Sequence, residues 1–506
     1  MNHIHNRALL INLTEETSEI IETGDAVYRK FFGGRGMCGY YLNRFLEDDP
    51  IIFHSGLFAG TDISGSGRCS VAHVSPHTGG LFRSDFGGDF SISLKHAGYD
   101  GLIITGKLEE KKSIIIDHRV LLGRAPDRGY SSVTPGASAW EGVTYAGIIC
   151  DGSFNAHRGS TGYALAQKNI ESVCIKLPEE SEPETLSANE DIERLINASP
   201  ALTGRLGICG FGTAALYDLA YSRKMLPHNF FGSVPDGRVN AHSFLSGHDV
   251  IHYTCAPCGV GCKKNINGEK LPEYDDFAAL SAVGLADAES FYECFSKGYD
   301  AVTLAHNIDF YRKNIRDDDP KELLMNLNRY KELKTSGNGL SVKGLEIPSL
   351  DPRGACGVAL GYASATNGAD YMSAMAHTHE ILRKPVPTDR HSFEGKAYLN
   401  YTLENVKAAL DSLVPCSYMM FAVSAEEYAK ALTELTGEDF SSASLAEAGE
   451  NIWMNEIQII RRLDIETASD ILPDVFFSEG ANGHNPLDRG AFDKEMKRYH
   501  RLRGLL

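Results

Sequence analysis

Three cysteines in one short run form the sharpest chemical signal in the sequence. They are Cys255, Cys258 and Cys262, and a proline and two glycines between them let the chain curl around one centre. Thiolates at this spacing suit an iron–sulfur cluster or a tetrahedral zinc ion, and each needs a fourth ligand. Cys416 and His252 are the candidates for it. Structural zinc tends to use two pairs of ligands and no second pair exists, so the run favours a cluster.

Three glycine-rich clusters precede the cysteine run, and two of them contain an arginine. Glycine exposes backbone N–H groups and arginine offers a two-pronged donor to phosphate. Together the clusters predict a large phosphorylated ligand lying across a sheet. The alternative is that they are ordinary turns whose arginines face solvent. The clusters are Gly65-Ser-Gly67-Arg68, Phe86-Gly87-Gly88 and His157-Arg158-Gly159-Ser-Thr-Gly162.

The run Gly34-Arg-Gly-Met-Cys-Gly39 matches the glycine pattern of dinucleotide-binding loops. Such a loop follows a strand, and residues 27–32 do not alternate as a strand would. We therefore interpret these glycines as sites of close backbone packing, within a region whose surroundings are predicted to be β-structured.

The elements that must position these residues divide the chain in two. A polar, proline-containing stretch, residues 178–184, is the predicted linker between a β-rich first third and a mostly helical remainder. The predicted strands are residues 8–13, 51–58, 69–75, 101–108, 112–122, 145–151 and 172–177. The predicted helical segments are residues 212–223, 286–312, 320–334, 425–436 and 445–463.

One further helix is predicted before Cys416. Its apolar residues recur at spacings of three and four, which gives a single stripe that we interpret as facing the core. The stripe consists of Leu399, Leu403, Val406, Leu410 and Leu413.

Composition excludes several classes of protein. With 506 residues, 42% apolar and 23% charged, the chain can bury a substantial core, which excludes disorder and a small disulfide scaffold. The net charge of −18 argues against nucleic acid or an anionic membrane as the main partner. No apolar run is long enough for a membrane span or a signal peptide, so we expect a cytoplasmic protein. The 11 cysteines are otherwise scattered, as expected of thiols in a reducing compartment.

With these clusters identified, the chain resembles the aldehyde:ferredoxin oxidoreductase family of tungstopterin enzymes nearly end to end, as a divergent and shortened member. The resemblance implies an α+β fold, in which a β-rich domain over residues 1–180 forms the base for the cofactor. Two mainly α-helical domains would follow, residues 190–335 with the three-cysteine run and residues 336–506 with Cys416. The motifs that match in order include Phe32–Gly36, Ser55–Gly60, Ser75–Gly80, Leu94–Asp100, Pro272–Asp275, Val342–Glu346, Asp351–Gly354 and Ala448–Trp453.

The resemblance implies the cofactors. They are tungsten, less often molybdenum, held by two pyranopterins, one [4Fe–4S] cluster, and a magnesium ion that bridges the pterin phosphates. The resemblance assigns the cluster to Cys255, Cys258, Cys262 and Cys416, against His252. Arg68 would lie between pterin and cluster, and Arg158 and Gly159 beside the phosphates and magnesium. The positions that match cofactor contacts are Gly67, Arg68, Asp85, Gly87, Gly88, Arg158, Gly159, Gly298, Asp300 and Asp411.

Several of these positions depart from the family pattern. Asp85 stands where asparagine is usual, and the first pterin loop, residues 295–300, lacks its leading acid. The second loop, from Asp411 to Cys416, has Val-Pro where Gly-Leu is usual. Because Pro415 lacks a backbone N–H and has a fixed φ, we expect the turn around one pterin to differ.

The proton-transfer residues implied by the resemblance are Asp275, with Glu273 two residues earlier, and Tyr371. Tyr371 lies where the family has histidine, and tyrosine titrates near 10 unless its pKa is lowered. His377 and His379 are close in sequence and are interpreted as structural.

The resemblance implies an oxidoreductase that converts aldehydes to carboxylates, or the reverse. Electrons would pass through the cluster to a ferredoxin or an iron–sulfur subunit. The alternatives are a family member acting on another small molecule, a non-catalytic electron relay that has lost the pterin, and a zinc-stabilised scaffold. Assembly into a homo-oligomer is compatible with the sequence.

Overall fold

The fold is given by a computed structural model of the chain. The structure describes residues 4–179, 182–226, 241–246, 248, 250–255, 257–266, 269–270, 272–335, 339–464 and 469–506. Residues 180 and 181 of the predicted linker lie outside the described residues. The rest of that linker crosses the β-rich part, where Glu184 pairs with Thr61.

Two six-stranded sheets form the first part of the chain. The first has the strand order β2-β1-β6-β3-β4-β5 and the second β11-β10-β9-β12-β7-β8. Strands β3 and β6 are buried along their whole length, as expected for central strands with apolar neighbours on both faces. The strands are β1 (Arg7–Asn12), β2 (Thr17–Glu22), β3 (Ile51–Ser55), β4 (Cys69–Val74), β5 (Leu81–Phe86), β6 (Gly101–Thr105), β7 (Lys112–Ile116), β8 (Val120–Gly123), β9 (Tyr130–Pro135), β10 (Ile148–Cys150), β11 (Phe154–Ala156) and β12 (Ile170–Lys176).

The predicted strands correspond to observed ones, with one correction. Residues 112–122 form two antiparallel strands, β7 and β8, and not one. The polar residues Asp117, His118 and Arg119 lie between them, and the backbone turns there because the N–H of Asp117 bonds the carbonyl of Arg119.

The region around Gly34 is helical, which corrects the expectation of β-structure. The four helices of the first part are α1 (Asp25–Phe31), α2 (Gly34–Arg44), α3 (Phe90–His96) and α4 (Thr161–Gln167). Helix α2 follows a helix and not a strand, so the glycine run is no dinucleotide loop. A β-carbon on Gly36 would lie 2.0 Å from the carbonyl oxygen of Phe31. This confirms that the glycine is a site of close packing.

The remainder is largely helical, with five short strands. The predicted helix at residues 286–312 is two helices, because Gly298 ends the first in the left-handed conformation. The helices are α5 (Ala188–Asn197), α6 (Ile208–Phe211), α7 (Ala215–Ser222), α8 (Ala241–Ser246), α9 (Tyr274–Ala282), α10 (Ala288–Lys297), α11 (Ala301–Asn314), α12 (Pro320–Met325), α13 (Cys356–Ser364), α14 (Lys396–Leu413), α15 (Ala425–Thr436), α16 (Ser442–Leu463), α17 (Val475–Ser478) and α18 (Arg489–Leu502). The strands are β13 (Val250–Tyr253), β14 (Lys263–Ile266), β15 (Glu269–Lys270), β16 (Ser341–Val342) and β17 (Leu345–Glu346).

Helix α14 contains the predicted apolar stripe, but the stripe is not its most buried face. Leu399, Leu403 and Val406 are only half-buried, while Leu410 and Leu413 are buried. Polar residues at helical spacing are buried along the whole helix because other elements provide their partners. These residues are Asn400, Glu404, Lys407 and Asp411.

The packing of α14 against α16 depends on Gly449. A β-carbon there would lie 1.7 Å from the carbonyl oxygen of Asn405 on α14. We expect Gly449→Ala to lower the free energy of unfolding by about 3 kcal/mol, because the two helices must separate. Urea denaturation measures this. The control is Gly490→Ala at the exposed start of α18, where an added methyl meets only a side-chain oxygen at 3.4 Å. Equal effects of the two changes would contradict the assignment.

A β-rich first part followed by a largely helical remainder confirms the predicted α+β class. The division of the helical remainder between residues 335 and 336 stays a prediction. Across the described residues, no helix is both long and apolar enough to cross a membrane.

Candidate cofactor and redox site

Residues from both parts of the chain enclose one large cavity, termed the main cavity. Its volume is about 280 Å³, and the unfilled space among its lining atoms, including the part open to solvent, is about 1660 Å³. This is the size of site that encloses a large ligand. The predicted residues on its wall are Arg68, Asp85, Gly87, Arg158, Cys255, Cys258, Cys262, Glu273, Asp275, Asp300, Asp411 and Cys416.

Four cysteines share one end of the main cavity. Gly65 holds their two chain segments together, because its N–H donates to the carbonyl of Pro257 at 2.6 Å and its carbonyl accepts from the N–H of Cys416 at 3.0 Å. A β-carbon on Gly87 would lie 2.3 Å from the sulfur of Cys255. The glycines of two predicted clusters therefore allow the backbone to approach the cysteines closely.

These thiols do not converge on a single metal-sized centre. Among the described residues, no three His, Cys, Asp or Glu side chains gather closely enough to hold a single metal ion. In a [4Fe–4S] cluster each cysteine binds a different iron, so the sulfurs stand further apart than around zinc. His252 is exposed, bonds Lys264 and does not line the cavity, whereas Cys416 does.

Arg68 lies beside the cysteines and faces Asp85 on its other side. Its Nη2 donates to the carbonyl oxygen of Asp85 at 2.7 Å. Burial alone would lower the pKa of Arg68, but negative charge on Cys416, Cys255 and Asp85 raises it above its usual value. The guanidinium is therefore a fixed positive charge against the cysteine end of the cavity.

Asp411 is surrounded by cations. Lys407, one turn earlier on α14, donates to it, and Arg35 Nη1 lies 3.3 Å and Arg83 Nη1 3.7 Å from its Oδ2. Burial would raise the pKa of Asp411, but these cations hold it below its usual value. The pKa of Asp85 is shifted in the opposite direction, because burial and the charge of Asp411 raise it above its usual value.

A second buried carboxylate, Glu456 on α16, completes this group. Arg35 donates to it through Nε and Nη2, both at 2.8 Å, and Arg83 Nε lies 3.1 Å away. Arg35 and Glu456 each expose only 1% of their side chains. We call Arg35, Arg83, Lys407, Asp411 and Glu456 the buried charge cluster.

Sequence reasoning named only Asp411 of this cluster. Two signals pointed to other members, since Arg35 lies inside the glycine run and Lys407 precedes Asp411 by four positions on a helix. Arg83 and Glu456 stand in no motif. Arg83 and Lys407 also line the main cavity, so they add positive charge to its wall.

Asp275 lines the main cavity and contacts Tyr371, which lies behind this part of the wall. The hydroxyl of Tyr371 donates to the Asp275 carboxylate, at 3.3 Å from Oδ1 and 3.4 Å from Oδ2. Burial raises the pKa of Asp275 to about 6, although the charge of Arg158 and the Tyr371 bond oppose this. Burial also raises the pKa of Tyr371 well above its usual value, so this tyrosine remains protonated near neutral pH.

Two acidic residues near Asp275 in the sequence, Glu273 and Asp276, have different surroundings. Glu273 begins helix α9, and its carboxylate accepts hydrogen bonds from Thr213 and Lys263. Asp276, which the sequence did not single out, also lines the main cavity, and burial together with the charge of Asp275 raises its pKa to about 7. The Glu273 carboxylate is therefore already engaged by protein donors, while burial brings the pKa values of Asp275 and Asp276 close to neutral pH.

Arg158 carries an unused donor at the cavity wall. Its Nη2 donates to the carbonyl of Glu346 at 2.7 Å, while Nη1 is buried and has no hydrogen-bond partner among the described residues. Burial would lower the pKa of Arg158, but Asp300, Asp275 and Glu346 raise it. A buried guanidinium nitrogen without a partner is costly, so it suits a site that an anionic ligand completes.

The remaining predicted residues do not line the main cavity. Tyr371 lines a smaller cavity beside it. Gly159 has φ +76°, and a β-carbon there would collide with the ring of Phe82, a wall residue. Gly88, at φ +108°, packs on Asp151 and Cys150, and Gly298 packs on the backbone of Gly136. Gly67 is buried directly before Arg68. These glycines shape the loops behind the wall.

Comparison with known proteins gives consistent results. Two family models match, aldehyde ferredoxin oxidoreductase N-terminal domain over residues 8–127 and aldehyde ferredoxin oxidoreductase domains 2 and 3 over residues 328–506. The tungsten-containing aldehyde ferredoxin oxidoreductases of Pyrococcus furiosus and Thermococcus kodakarensis are each 25% identical, over 98% of this chain and 96% of theirs. The solved active-site complex BamBC of benzoyl coenzyme A reductase with 1,5-dienoyl-CoA has the same fold, with a TM-score of 0.78 at 16% identity, over 100% of this chain and 95% of that one.

Proposed function

Because this chain is an oxidoreductase of the aldehyde ferredoxin oxidoreductase family, we propose that it binds a tungsten or molybdenum pterin and a [4Fe–4S] cluster in the main cavity and oxidises aldehydes to carboxylates, or catalyses the reverse. The observation that carries the proposal is that four cysteines, Arg158 with its unpartnered nitrogen and Asp275 all line one cavity, and that Tyr371 bonds Asp275 from a smaller cavity beside it.

The residues on the wall fit the implied cofactors. Cys255, Cys258, Cys262 and Cys416 would hold the cluster, and Arg158 with Arg83 and Lys407 would neutralise the pterin phosphates. Asp85, Asp300 and Asp411 provide acceptors on the same wall. When bound, the metal–pterin group supplies two-electron oxidation–reduction, while the protein supplies binding, orientation and proton handling.

The cysteine end supports transfer of electrons to an external acceptor. Cys258 is half-buried while Cys255 is buried, so the cluster motif reaches from the cavity toward the surface. Arg68 faces the thiols from the cavity side and its fixed charge would stabilise a reduced cluster. We therefore propose a ferredoxin or an iron–sulfur subunit as the partner.

Asp275 is the proposed proton-transfer residue. Its pKa of about 6 allows it to accept and release a proton near neutral pH. Tyr371 donates a hydrogen bond to the carboxylate and remains a phenol, so we assign it the role of orienting Asp275. Tyr371 therefore does not have to take over the proton transfer of the family's histidine, because Asp275 beside it has a pKa close to neutral pH.

We expect Tyr371→Phe to shift the pH dependence of activity. The hydrogen bond from Tyr371 lowers the pKa of Asp275, so its loss raises that pKa. If Asp275 acts as a base, the acidic limb of kcat/KM then moves to higher pH by about one unit. A pH profile of wild type and variant measures this. Tyr362→Phe is the control, since that tyrosine is buried nearby and bonds the carbonyl of Leu350 instead. An unshifted limb would contradict the assignment.

Metal analysis of protein purified without oxygen tests the proposed function directly. We expect about four irons and about one tungsten or molybdenum per chain, by mass spectrometry. Aldehyde oxidation with a viologen dye as acceptor should accompany them. Zinc alone would contradict the cluster.

An electron relay without pterin is the second candidate function. One observation favours it: Lys407, Arg35 and Arg83 already surround Asp411, an acid that the family resemblance assigns to the pterin ring. Iron without tungsten or molybdenum, from cells that are supplied with both and make pterin, would support the relay.

A further inference from the structure

A second cavity adjoins the main cavity, and we term it the side chamber. The two share Tyr274, Met372 and Tyr418 on their walls, so they adjoin along these three side chains. The side chamber has a volume of about 30 Å³. By comparison, one water needs about 10–15 Å³ of such space, so the chamber accommodates only a group of a few atoms.

The side chamber has an almost entirely apolar wall. Leu216, Leu219 and Ala220 of helix α7 line one side, and Ile381 and Leu382 line another. The hydroxyl of Tyr274 is occupied, because it donates to the carbonyl of Ser349 at 2.9 Å. An apolar wall of this kind favours a hydrocarbon group over water.

The chamber also borders the proposed proton-transfer pair. Tyr371 lines the side chamber and Asp275 lines the main cavity, so the hydrogen bond between them spans the boundary. A molecule whose reacting carbon lies beside Asp275 can therefore extend its other end past Tyr371 into the chamber.

An irregular segment, residues 375–383, forms the wall opposite α7. It contains one turn of π-helix, Thr378–Leu382, between Met375 at φ +53° and Arg383 at φ +61°. Non-glycine residues seldom adopt such φ values, and π-helical turns occur frequently at functional sites. His377, on the same segment, lines the chamber, and its buried Nδ1 has no partner among the described residues. Backbone strain of this kind clusters at ligand-binding sites, which supports this wall as a binding surface.

We propose that the side chamber binds the non-reacting end of the substrate and restricts the substrate to short aliphatic compounds, with an alkyl group of about two or three carbons. The inference rests on the proposed function for the position of the reacting carbon. It adds the substrate class and assigns Ile381 and Leu382 as specificity-determining residues.

The test uses primary alcohols, from ethanol to 1-hexanol, as non-reacting probes of the holoenzyme. Calorimetry should show that ethanol or 1-propanol binds about tenfold more tightly than 1-hexanol, since a chain that outgrows a small apolar pocket loses affinity. In Ile381→Ala the preferred chain should be one or two carbons longer. The control is Ile196→Ala, a buried isoleucine of helix α5 outside both cavities, which should leave the preference unchanged.

Two outcomes would overturn the inference. One is affinity that rises steadily with chain length in the wild type, and the other is a preference that Ile381→Ala leaves unaltered. Aldehyde oxidation by the same preparations is measured separately. Selective alcohol binding without any aldehyde oxidation would refute the proposed aldehyde chemistry and support the side chamber as a binding site. Aldehyde oxidation without chain-length selectivity would support the aldehyde chemistry and refute the role of the side chamber.

Discussion

Replacing Cys416 with serine is expected to remove or convert the proposed iron–sulfur cluster. Cys416 enters the cavity from the loop after α14, 154 positions beyond Cys262, and it is the fourth thiol at that end. A serine oxygen binds iron less well than a thiolate, so the iron content per chain should fall. The broad absorption at about 400 nm should weaken or change with it. Loss of a residue that only supports a metal ligand typically costs about 10–100-fold, so loss of the ligand itself should reduce electron transfer to a viologen at least that much.

The matched control for this change is Cys209→Ser. Cys209 lies on helix α6 and is half-buried like Cys416. It does not line the main cavity. We expect its iron content and spectrum to match the wild type. If Cys416→Ser also matched the wild type in both measurements, the ligand assignment would be wrong.

Replacing Glu456 with glutamine is expected to cost about 3–5 kcal/mol in the free energy of unfolding. The carboxylate neutralises Arg35 and Arg83 together, and Arg35 has almost no access to solvent. Glutamine keeps the shape but leaves Asp411 as the one carboxylate of the buried charge cluster, against the three cations Arg35, Arg83 and Lys407. A urea titration measures the loss. The double variant Glu456→Gln with Arg35→Met should lose less free energy of unfolding than the sum of the two single variants. The reason is that Arg35→Met removes a cation whose carboxylate partner is lost in Glu456→Gln.

The effect of Glu456→Gln should also depend on pH. Burial would raise the pKa of Glu456, but Arg35 and Arg83 hold it below its usual value. A carboxylate of this kind stabilises the fold above its ordinary pKa, about 4.3, and the stabilisation is lost as the pH falls through the lowered value. The difference in the free energy of unfolding between wild type and variant should therefore be full at neutral pH and become smaller in acid.

The control is Asp191→Ala, which breaks an exposed ion pair with Arg194 and should lower the free energy of unfolding by at most about 1 kcal/mol at any pH. A constant difference for Glu456→Gln would contradict its role as a charged partner.

The sequence predicted the parts of the site that depend on local spacing. Cys255, Cys258 and Cys262 lie within one short loop, and only a loop rich in glycine and proline can bring them to one centre. The strands were also predictable, because runs such as Ile114, Ile115 and Ile116 are apolar and β-branched and end at polar turns.

The parts that depend on distant partners could not be predicted in the same way. On α14 the leucine repeat indicated the buried face, yet Glu404 and Lys407 are more buried than Leu399 and Leu403. Glu404 bonds Tyr499 and Arg503 of the C-terminal helix region, and Lys407 bonds Asp411. Hydrophobic periodicity detects only the burial of apolar side chains. A prediction based on it therefore places a polar helix face in solvent even when partners elsewhere in the chain bury that face.

The buried pair of Arg35 and Glu456 bears on how the protein is made. The two residues are 421 positions apart, and Arg35 belongs to the second helix of the chain. A ribosome therefore exposes Arg35, and both sheets of the β-rich part, long before Glu456 and Cys416 have been translated. Until then the cations at Arg35 and Arg83 lack their carboxylates and the cavity lacks one wall. Loading of the proposed cofactors would then follow synthesis of nearly the whole polypeptide, as a maturation step.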